Sequence, residues 1–183
     1  MRKFDLNNPI DCAYLAGLFD GEGSVHIRLD TRGKKGYIGR SFMTEIVITN
    51  NCEELITSLK TSIGGNYYGR LRASYSKECY EWKLTNFNAV NFIKAILPYA
   101  LLKKPDLEVC LKMCERFSQS YGRSGLPNNE FNVRLAIYKE FKAFRERQEN
   151  DKVVVTYGSV IVPSQADVKQ PLNESLLLAP QKK

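Results

Sequence analysis

This sequence contains no apolar run that could cross a lipid bilayer, only a single histidine, and no C-x-x-C pair of cysteines. No stretch approaches the roughly twenty apolar residues of a transmembrane helix, and no charged-then-apolar leader opens the chain. We therefore expect a soluble, intracellular protein. His26 is the one histidine, and the five cysteines include no C-x-x-C pair, which argues against a zinc site or a disulfide framework. Cys110 and Cys114 share a helix face and are expected to be buried thiols.

Acidic residues are fewer than basic ones, 20 against 27, which leaves a net charge of +7 and a pI near 9.1. The basic residues cluster at Arg32–Lys35, Arg70–Arg72 and Lys103–Lys104. Such a charge favours a polyanionic partner. The length of 183 residues, 43% of them hydrophobic, supports one globular core. We expect a single domain over 1–150 and a partly disordered tail over 151–183.

A helix is predicted to begin at Pro9. Asn8 can cap free backbone N–H groups, and the fixed φ of proline suits the first helical position. The pattern continues to about Gly21. Within it Ala13, Gly17 and Gly21 recur every four residues, so one face of the helix carries no bulky side chain. This face is suited to close contact with a second backbone.

The same helix ends in acidic residues, which are unfavourable at a helix C-terminus. Asp20 and Glu22 lie at its C-terminal end, where the helix dipole is negative and carboxylates are normally disfavoured. A residue choice that opposes local preference is typical of a functional site.

After this helix the hydrophobic period changes from helical to two. The predicted strands are Ser24–Arg32, Arg40–Thr49, Asn66–Ser74 and Cys79–Thr85, each with one apolar and one polar face. They form two hairpins, the first with a basic connection at Gly33–Gly39. Helices are expected after each hairpin, with Asn51 (in a capping box with Glu54) and Asn86 as their caps and Gly64–Gly65 and Pro98 as their ends. Amphipathic helices are also predicted at Asp106–Ser118 and Glu130–Arg147.

Residues Leu15–Gly23, LAGLFDGEG, resemble the signature of the LAGLIDADG homing endonuclease family. They differ from it by Phe at the fifth position, Gly at the seventh and Glu at the eighth. The predicted order of elements, αββαββα, is also that of the family, so the resemblance covers about the first hundred residues. It implies an α+β LAGLIDADG fold with additional C-terminal helices. Pro98–Lys103 resembles the family segment that carries an active-site lysine.

The resemblance implies an intron-encoded hydrolase, a nuclease that cuts double-stranded DNA with Mg²⁺ and needs no organic cofactor. The metal-binding acid of the family is the eighth residue of the motif, here Glu22. The catalytic candidates are Glu22, Lys103 and Asn50, and the metal candidates are Glu22 and Gly21. Asp20 is expected to cap or orient rather than to bind metal. Carboxylate and phosphate oxygens are hard ligands that suit Mg²⁺.

The chain carries one copy of the motif, and family members with a single copy act as homodimers on long pseudo-palindromic sites. The small-residue face of the first helix makes this physically reasonable, because two such faces can cross closely on a two-fold axis. The crossing would bring two Glu22 carboxylates together, where a divalent cation would relieve their repulsion. The predicted interface residues are Ala13, Gly17, Asp20 and Gly21.

The polar faces of the four strands are predicted to lie in the DNA major groove, where side chains can read base edges. The candidates for DNA contact are His26, Arg28, Asp30, Arg32, Ser41, Glu45, Tyr68, Arg70, Arg72, Glu81 and Lys83.

Three alternatives remain open on the sequence. The same fold occurs in RNA maturases that assist intron splicing, and in non-cleaving transcription regulators that add a helix-turn-helix domain, for which Asp106–Arg147 is a poor match. Glu81-Trp82-Lys83 also fits the E-x-K part of a different nuclease site, which requires a further acid on a neighbouring strand.

Overall fold

The computed structural model describes residues 2–30, 41–71, 78–118, 126–151, 156–157 and 160–161. The helices are α1 (Pro9–Glu22), α2 (Glu53–Ile63), α3 (Val90–Ile96), α4 (Lys104–Arg116) and α5 (Asn128–Asp151), and a short 3-10 helix spans Asn86–Ala89. The strands are β1 (Gly23–Asp30), β2 (Ser41–Asn50), β3 (Asn66–Leu71), β4 (Glu78–Thr85), β5 (Thr156–Tyr157) and β6 (Val160–Ile161). The predicted connection Gly33–Gly39, together with Arg32 and Arg72, lies outside the described residues.

Four of the strands form one antiparallel sheet in the order β1-β2-β4-β3. Each hairpin pairs its own strands, and β2 pairs with β4 in the centre, with Ile46 opposite Leu84. The order α1-β1-β2-α2-β3-β4-α3 confirms the predicted α+β fold. Because side chains alternate along a strand, one face of this sheet meets the helices and the other is the outer face.

The core lies between the sheet and the helices. Trp82 of β4 is fully buried, with its ring 5.0 Å from that of Phe92 of α3 in an edge-to-face arrangement, and Phe92 in turn meets Phe19 of α1 at 6.2 Å. Such aromatic pairs add about 0.5–1.5 kcal/mol beyond the area they bury. They hold the end of α1 against the sheet.

The predicted ends of the first two helices are confirmed at Asn8 and Gly64. The Asn8 Oδ1 accepts the N–H of Ile10 at 2.9 Å, and the Gly64 N–H donates to the carbonyl of Lys60 at 2.9 Å. Gly64 and Gly65 have φ of +90° and +87°, which glycine adopts without a Cβ clash. A Cβ on Gly65 would lie 2.6 Å from the carbonyl oxygen of Lys83.

Two predicted caps are wrong. Cys52, not Asn51, precedes α2, and no side chain caps it. Thr85 precedes the 3-10 helix, while Asn86 has φ +51° and its Oδ1 accepts the N–H of Thr44 at 3.0 Å. Asn86 therefore ties the end of β4 to β2, a long-range bond that outcompetes a local cap.

The C-terminal helices are close to their predicted bounds. Cys110 and Cys114 of α4 are buried thiols, as expected, and the Cys114 Sγ lies 3.2 Å from the Oγ1 of Thr44 on β2. Backbone contacts divide the chain into two compact units, residues 1–142 and 143–183. The second includes the β5–β6 hairpin, and most of the predicted disordered tail falls outside the described residues. Among the residues that the structure describes, no helix is both long enough and apolar enough to span a membrane.

Candidate active site and nucleic-acid interface

The acid predicted to bind metal stands at the junction of α1 and β1. Glu22 is the last residue of α1 and is exposed to solvent. The chain turns at Gly23, whose N–H donates to the carbonyl of Phe19. A Cβ on Gly23 would lie 2.3 Å from the Phe19 ring, so the turn requires glycine at this position. The turn places the Glu22 carboxylate at the end of the sheet where β1 begins, and not in the core.

Lys103 is brought to the same end of α1 by the loop between α3 and α4. Its Nζ donates to the carbonyl oxygens of Phe19 at 3.0 Å and of Asp20 at 2.7 Å. The last carbonyls of a helix lack intrahelical donors and carry partial negative charge, so an ammonium group stabilises them. The ammonium thus offsets part of the unfavourable placement of the acids.

Asp20 holds the lysine loop in place. Its Oδ2 accepts the N–H of Leu101 at 2.8 Å and its Oδ1 accepts the N–H of Lys103 at 2.9 Å. Partial burial alone would raise the pKa of Asp20, but these N–H groups, that of Leu102 and the ammonium of Lys103 lower it below its usual value. The carboxyl is therefore charged at neutral pH and engaged with the protein, which fits an orienting role.

Asn50 is the last residue of β2, at the same end of the sheet as the start of β1. The β1–β2 ladder begins with Gly23 opposite Ile48, and Asn50 lies two residues beyond that pair. Its Oδ1 accepts the N–H of Cys52 at 2.8 Å and so shapes the turn into α2. The fold therefore brings Asn50 to the end of the sheet where Gly21 and Glu22 also lie.

The small-residue face of α1 is open. Ala13, Gly17 and Gly21 are exposed, and a Cβ added at Gly17 or Gly21 would meet nothing within 4 Å. Ile10 and Tyr14 on this helix are also exposed, at 75% and 44%. The ring of Tyr14 stacks on that of Phe4 at 5.7 Å and lies 4.9 Å from the guanidinium carbon of Arg2, so the open part of this face is the part around Gly17 and Gly21.

By strand register, the predicted DNA-contact residues that belong to β1–β4 occupy positions of the outer face of the sheet. The register places His26 opposite Glu45, Tyr68 opposite Glu81 and Val47 opposite Lys83. Asp30 and Arg70 hold register positions opposite Ser41 and Cys79. A shallow depression of about 340 Å³ in this face is lined by Ser24, His26, Arg28, Glu45, Val47, Thr49, Glu81 and Lys83.

An ion-pair network, Arg28–Glu45–Lys83–Glu81, crosses the middle of this face. The Arg28 Nη2 is 2.9 Å from the Oε2 of Glu45, and the Lys83 Nζ is 3.1 Å from the other oxygen, Oε1. Lys83 also lies 3.3 Å from the Oε1 of Glu81. Burial would lower the pKa of Lys83, but its two carboxylate partners raise it above the usual value.

The acid that the E-x-K alternative requires is present after all. Glu45, on the strand next to β4, contacts Lys83, so Glu45, Glu81 and Lys83 are neighbours. However, the ammonium of Lys83 contacts both carboxylates, and Arg28 also pairs with Glu45, so the two cations balance the two acids. Among the described residues no group of three His, Cys, Asp or Glu side chains is placed to hold a metal ion. This cluster is an ion-pair network rather than a metal centre.

The sequence prediction missed several residues of the outer face. Ser24, Val47 and Thr49 line the depression, and Asn66 lies opposite Lys83 on the same face. The alternation of side chains that selected their neighbours could have found them.

Comparison with known proteins connects this geometry to one family. The family model described as LAGLIDADG endonuclease matches residues 15–115, more than half of the chain. No match was found among curated proteins.

Solved structures share the fold at low sequence identity. The archaeal intron-encoded homing endonuclease I-Vdi141I, complexed with DNA, is 16% identical over 73% of this chain and 83% of its own, with a TM-score of 0.59. The homing endonuclease I-CvuI, in complex with its target in the presence of Ca, is 16% identical over 63% and 72%, with a TM-score of 0.51. The meganuclease I-SmaMI, bound to uncleavable DNA, is 22% identical over 72% of this chain but 44% of its own, with a TM-score of 0.54.

Proposed function

This chain belongs to the LAGLIDADG endonuclease family, and we propose that it is a homing endonuclease that hydrolyses both strands of a long, pseudo-palindromic DNA site as a homodimer with Mg²⁺. The neighbouring folds that were solved with DNA support the choice of substrate.

The observation that carries this proposal is the open face of α1 ending in an exposed acid. Gly17 and Gly21 leave space for a second backbone, and Glu22 follows on the same helix. If two copies cross along this face on a two-fold axis, their Glu22 side chains approach each other, one for each scissile strand. A single copy supplies only half of such a site, which is why the homodimer is part of the proposal.

The donor atoms at this end of α1 fit a hard divalent cation. Glu22 offers carboxylate oxygens, and Gly21 has a carbonyl in the last helical turn, where intrahelical donors are lacking. Two such acids side by side repel each other unless a cation lies between them. When bound, Mg²⁺ would stabilise charge that develops on the phosphate. Hydrogen bonds between Lys103 and Asp20 hold the backbone of this turn. Asn50 lies at the same end of the sheet.

The outer face of the sheet is the proposed DNA surface. Strands of eight to ten residues, as in β1 and β2, extend about 26–33 Å, close to eight to ten base pairs. A two-fold dimer would thus cover roughly twenty base pairs. Of the eleven predicted contact residues, all but the enclosed Glu45 remain candidates for direct contact, with Arg32 and Arg72 beyond the described part.

The test is cleavage by Glu22→Gln. The amide keeps the size of the side chain but loses the charge that would hold the metal, so we expect strand cleavage with Mg²⁺ to fall by at least about a hundredfold while DNA binding is retained. A library of randomised duplexes supplies the substrate. Glu108→Gln, an exposed carboxylate on α4, is the matched control and should cut normally.

Cleavage by Glu22→Gln at the wild-type rate would overturn the assignment of this acid. Wild-type protein that binds duplexes but cuts none would instead favour a regulator with the same fold, and preferential binding of structured RNA would favour a maturase.

A further inference from the structure

Glu45 is an acidic residue that is buried on a face proposed to meet a polyanion. It lies in the central strand β2, and only 7% of its side chain is exposed. Its two oxygens face different cations, Arg28 at 2.9 Å and Lys83 at 3.1 Å. A carboxylate so enclosed has little surface left for a base, and a buried charge is retained only where partners compensate it. Its contacts indicate that it acts on other side chains of the protein rather than on a DNA base.

Arg28 is the member of the network that reaches outward. Its side chain is 59% exposed, whereas those of Lys83 and Glu81 are 16% and 15% exposed. A guanidinium group carries five N–H donors in a rigid planar fork, and the Nη2 of Arg28 is the atom that is paired with Glu45. Because the Arg28 side chain is largely exposed, its guanidinium group can reach a partner, and the ion pair keeps that group beside Glu45. Restraint of this kind lowers the entropy lost on binding.

We propose that Glu45 is a positioning residue that holds the guanidinium of Arg28 for a bidentate contact with O6 and N7 of a guanine, so that this pair specifies one G·C base pair in each half-site. This rests on the proposed function. Guanine is the base that presents two acceptors side by side in the major groove, which matches the fork.

The position of that base pair follows from the strand. Arg28 is the sixth residue of β1, so it lies about 17 Å along the strand from Gly23, the residue that follows Glu22 at the proposed cleavage centre. At 3.4 Å per base pair, this is on the order of five base pairs away. The specified G·C pair should appear at about that distance from the cut in both half-sites.

The charges of the network distinguish base reading from simple phosphate attraction. Arg28, Glu45, Lys83 and Glu81 sum to zero formal charge, so the cluster as a whole adds little to sequence-independent binding. Removing the negative charge of Glu45 should therefore strengthen binding to unrelated DNA while weakening the preference for guanine. A residue that merely supports the fold would not produce these opposite changes.

The experiment selects binding sites for the full-length protein from a library of randomised duplexes and then compares base preference, position by position, among variants. Arg28→Lys keeps the charge but loses the fork, and it should reduce the guanine preference at that one position about tenfold or more. Glu45→Gln should reduce it at the same position by a similar factor. Glu115→Gln, whose exposed side chain pairs with Lys94 on the helical layer, makes the same charge change away from the sheet and should leave the preference unchanged.

A second variant keeps the inference testable if Glu45→Gln fails to fold. The double variant Glu45→Gln with Lys83→Met removes both charges of the buried pair and leaves Arg28 without its restraint, so it should show the same relaxed preference. The inference is overturned if Arg28→Lys alone loses the preference, if neither variant does, or if every position loses affinity equally. Wild-type protein that selects no duplex at all would overturn the proposed function itself, and this inference with it.

Discussion

The Nζ of Lys103 lies 2.7 Å from the backbone carbonyl oxygen of Asp20, while the carboxylate of Asp20 accepts the backbone N–H of Lys103 at 2.9 Å. The two residues are therefore joined in both directions, the side chain of each to the backbone of the other. Each holds the other across the end of α1, immediately before Glu22. A substitution at either residue should therefore affect the position of the Glu22 carboxylate.

Lys103→Met tests the first half of this relationship. It removes two charge-assisted hydrogen bonds and the cation at the negative end of α1, so we expect a loss of about 1–2 kcal/mol in unfolding free energy, measured in urea. Cleavage should slow as well, because the turn that carries Glu22 loses its restraint. Lys104→Met changes an exposed neighbour and should have little effect on either measurement. Unchanged stability of Lys103→Met would contradict the contact.

Asp20→Asn tests the second half and carries a pH dependence. The folded-state pKa of Asp20 is below its usual value, so its stabilisation is fully present above the usual value, about 3.9, and is lost as pH falls through the folded-state pKa. We expect the variant to be about 1–2 kcal/mol less stable at pH 7 and the difference to shrink below pH of about 4. Urea unfolding at several pH values measures this, with Glu108→Gln as control. A difference that stays constant down to pH of about 2 would argue against an ionised cap.

Gly17→Leu tests the proposed dimer. The site is open within one copy, so a leucine there should leave the fold intact. At a crossing of two helices it would overpack the interface, at a cost of about 1–3 kcal/mol per chain. We expect a folded monomer that no longer cleaves, shown by sedimentation together with far-UV circular dichroism. Ala136→Leu, at an exposed position on α5, should remain a dimer. A Gly17→Leu dimer with full activity would exclude this face as the interface.

Glu130→Gln tests what joins α5 to α4. The Glu130 carboxylate, 5% exposed, is paired with Arg116 and also with Arg134, whose Nε lies 2.8 Å from its Oε1. Removing one member of a buried ion pair leaves uncompensated charge, so we expect a loss of about 3–5 kcal/mol in unfolding free energy. Glu140→Gln breaks the exposed Lys112–Glu140 pair between the same helices and should cost at most about 1 kcal/mol. Equal effects from the two variants would mean that burial does not matter here.

Local patterns were enough to predict most of the fold. Alternation in β1 to β4 separated the core face from the outer face correctly, because every second side chain of a strand points the same way. Asn8 and Gly64–Gly65 marked helix ends because their effect lies in the neighbouring backbone. Asn86 did not follow its local preference, since an N–H of a distant strand was the better partner.

The sequence by itself determined the family motif, the open stripe on α1 and the identity of the polar face, because each depends on residues only a few positions apart. Only the tertiary structure decided how residues far apart in the chain act on one another. Lys103 lies more than eighty residues from Asp20, and Arg28, Glu45 and Lys83 come from three strands. Their ion pairs depend on strand register and loop path, which follow from packing of the whole core rather than from any local sequence pattern.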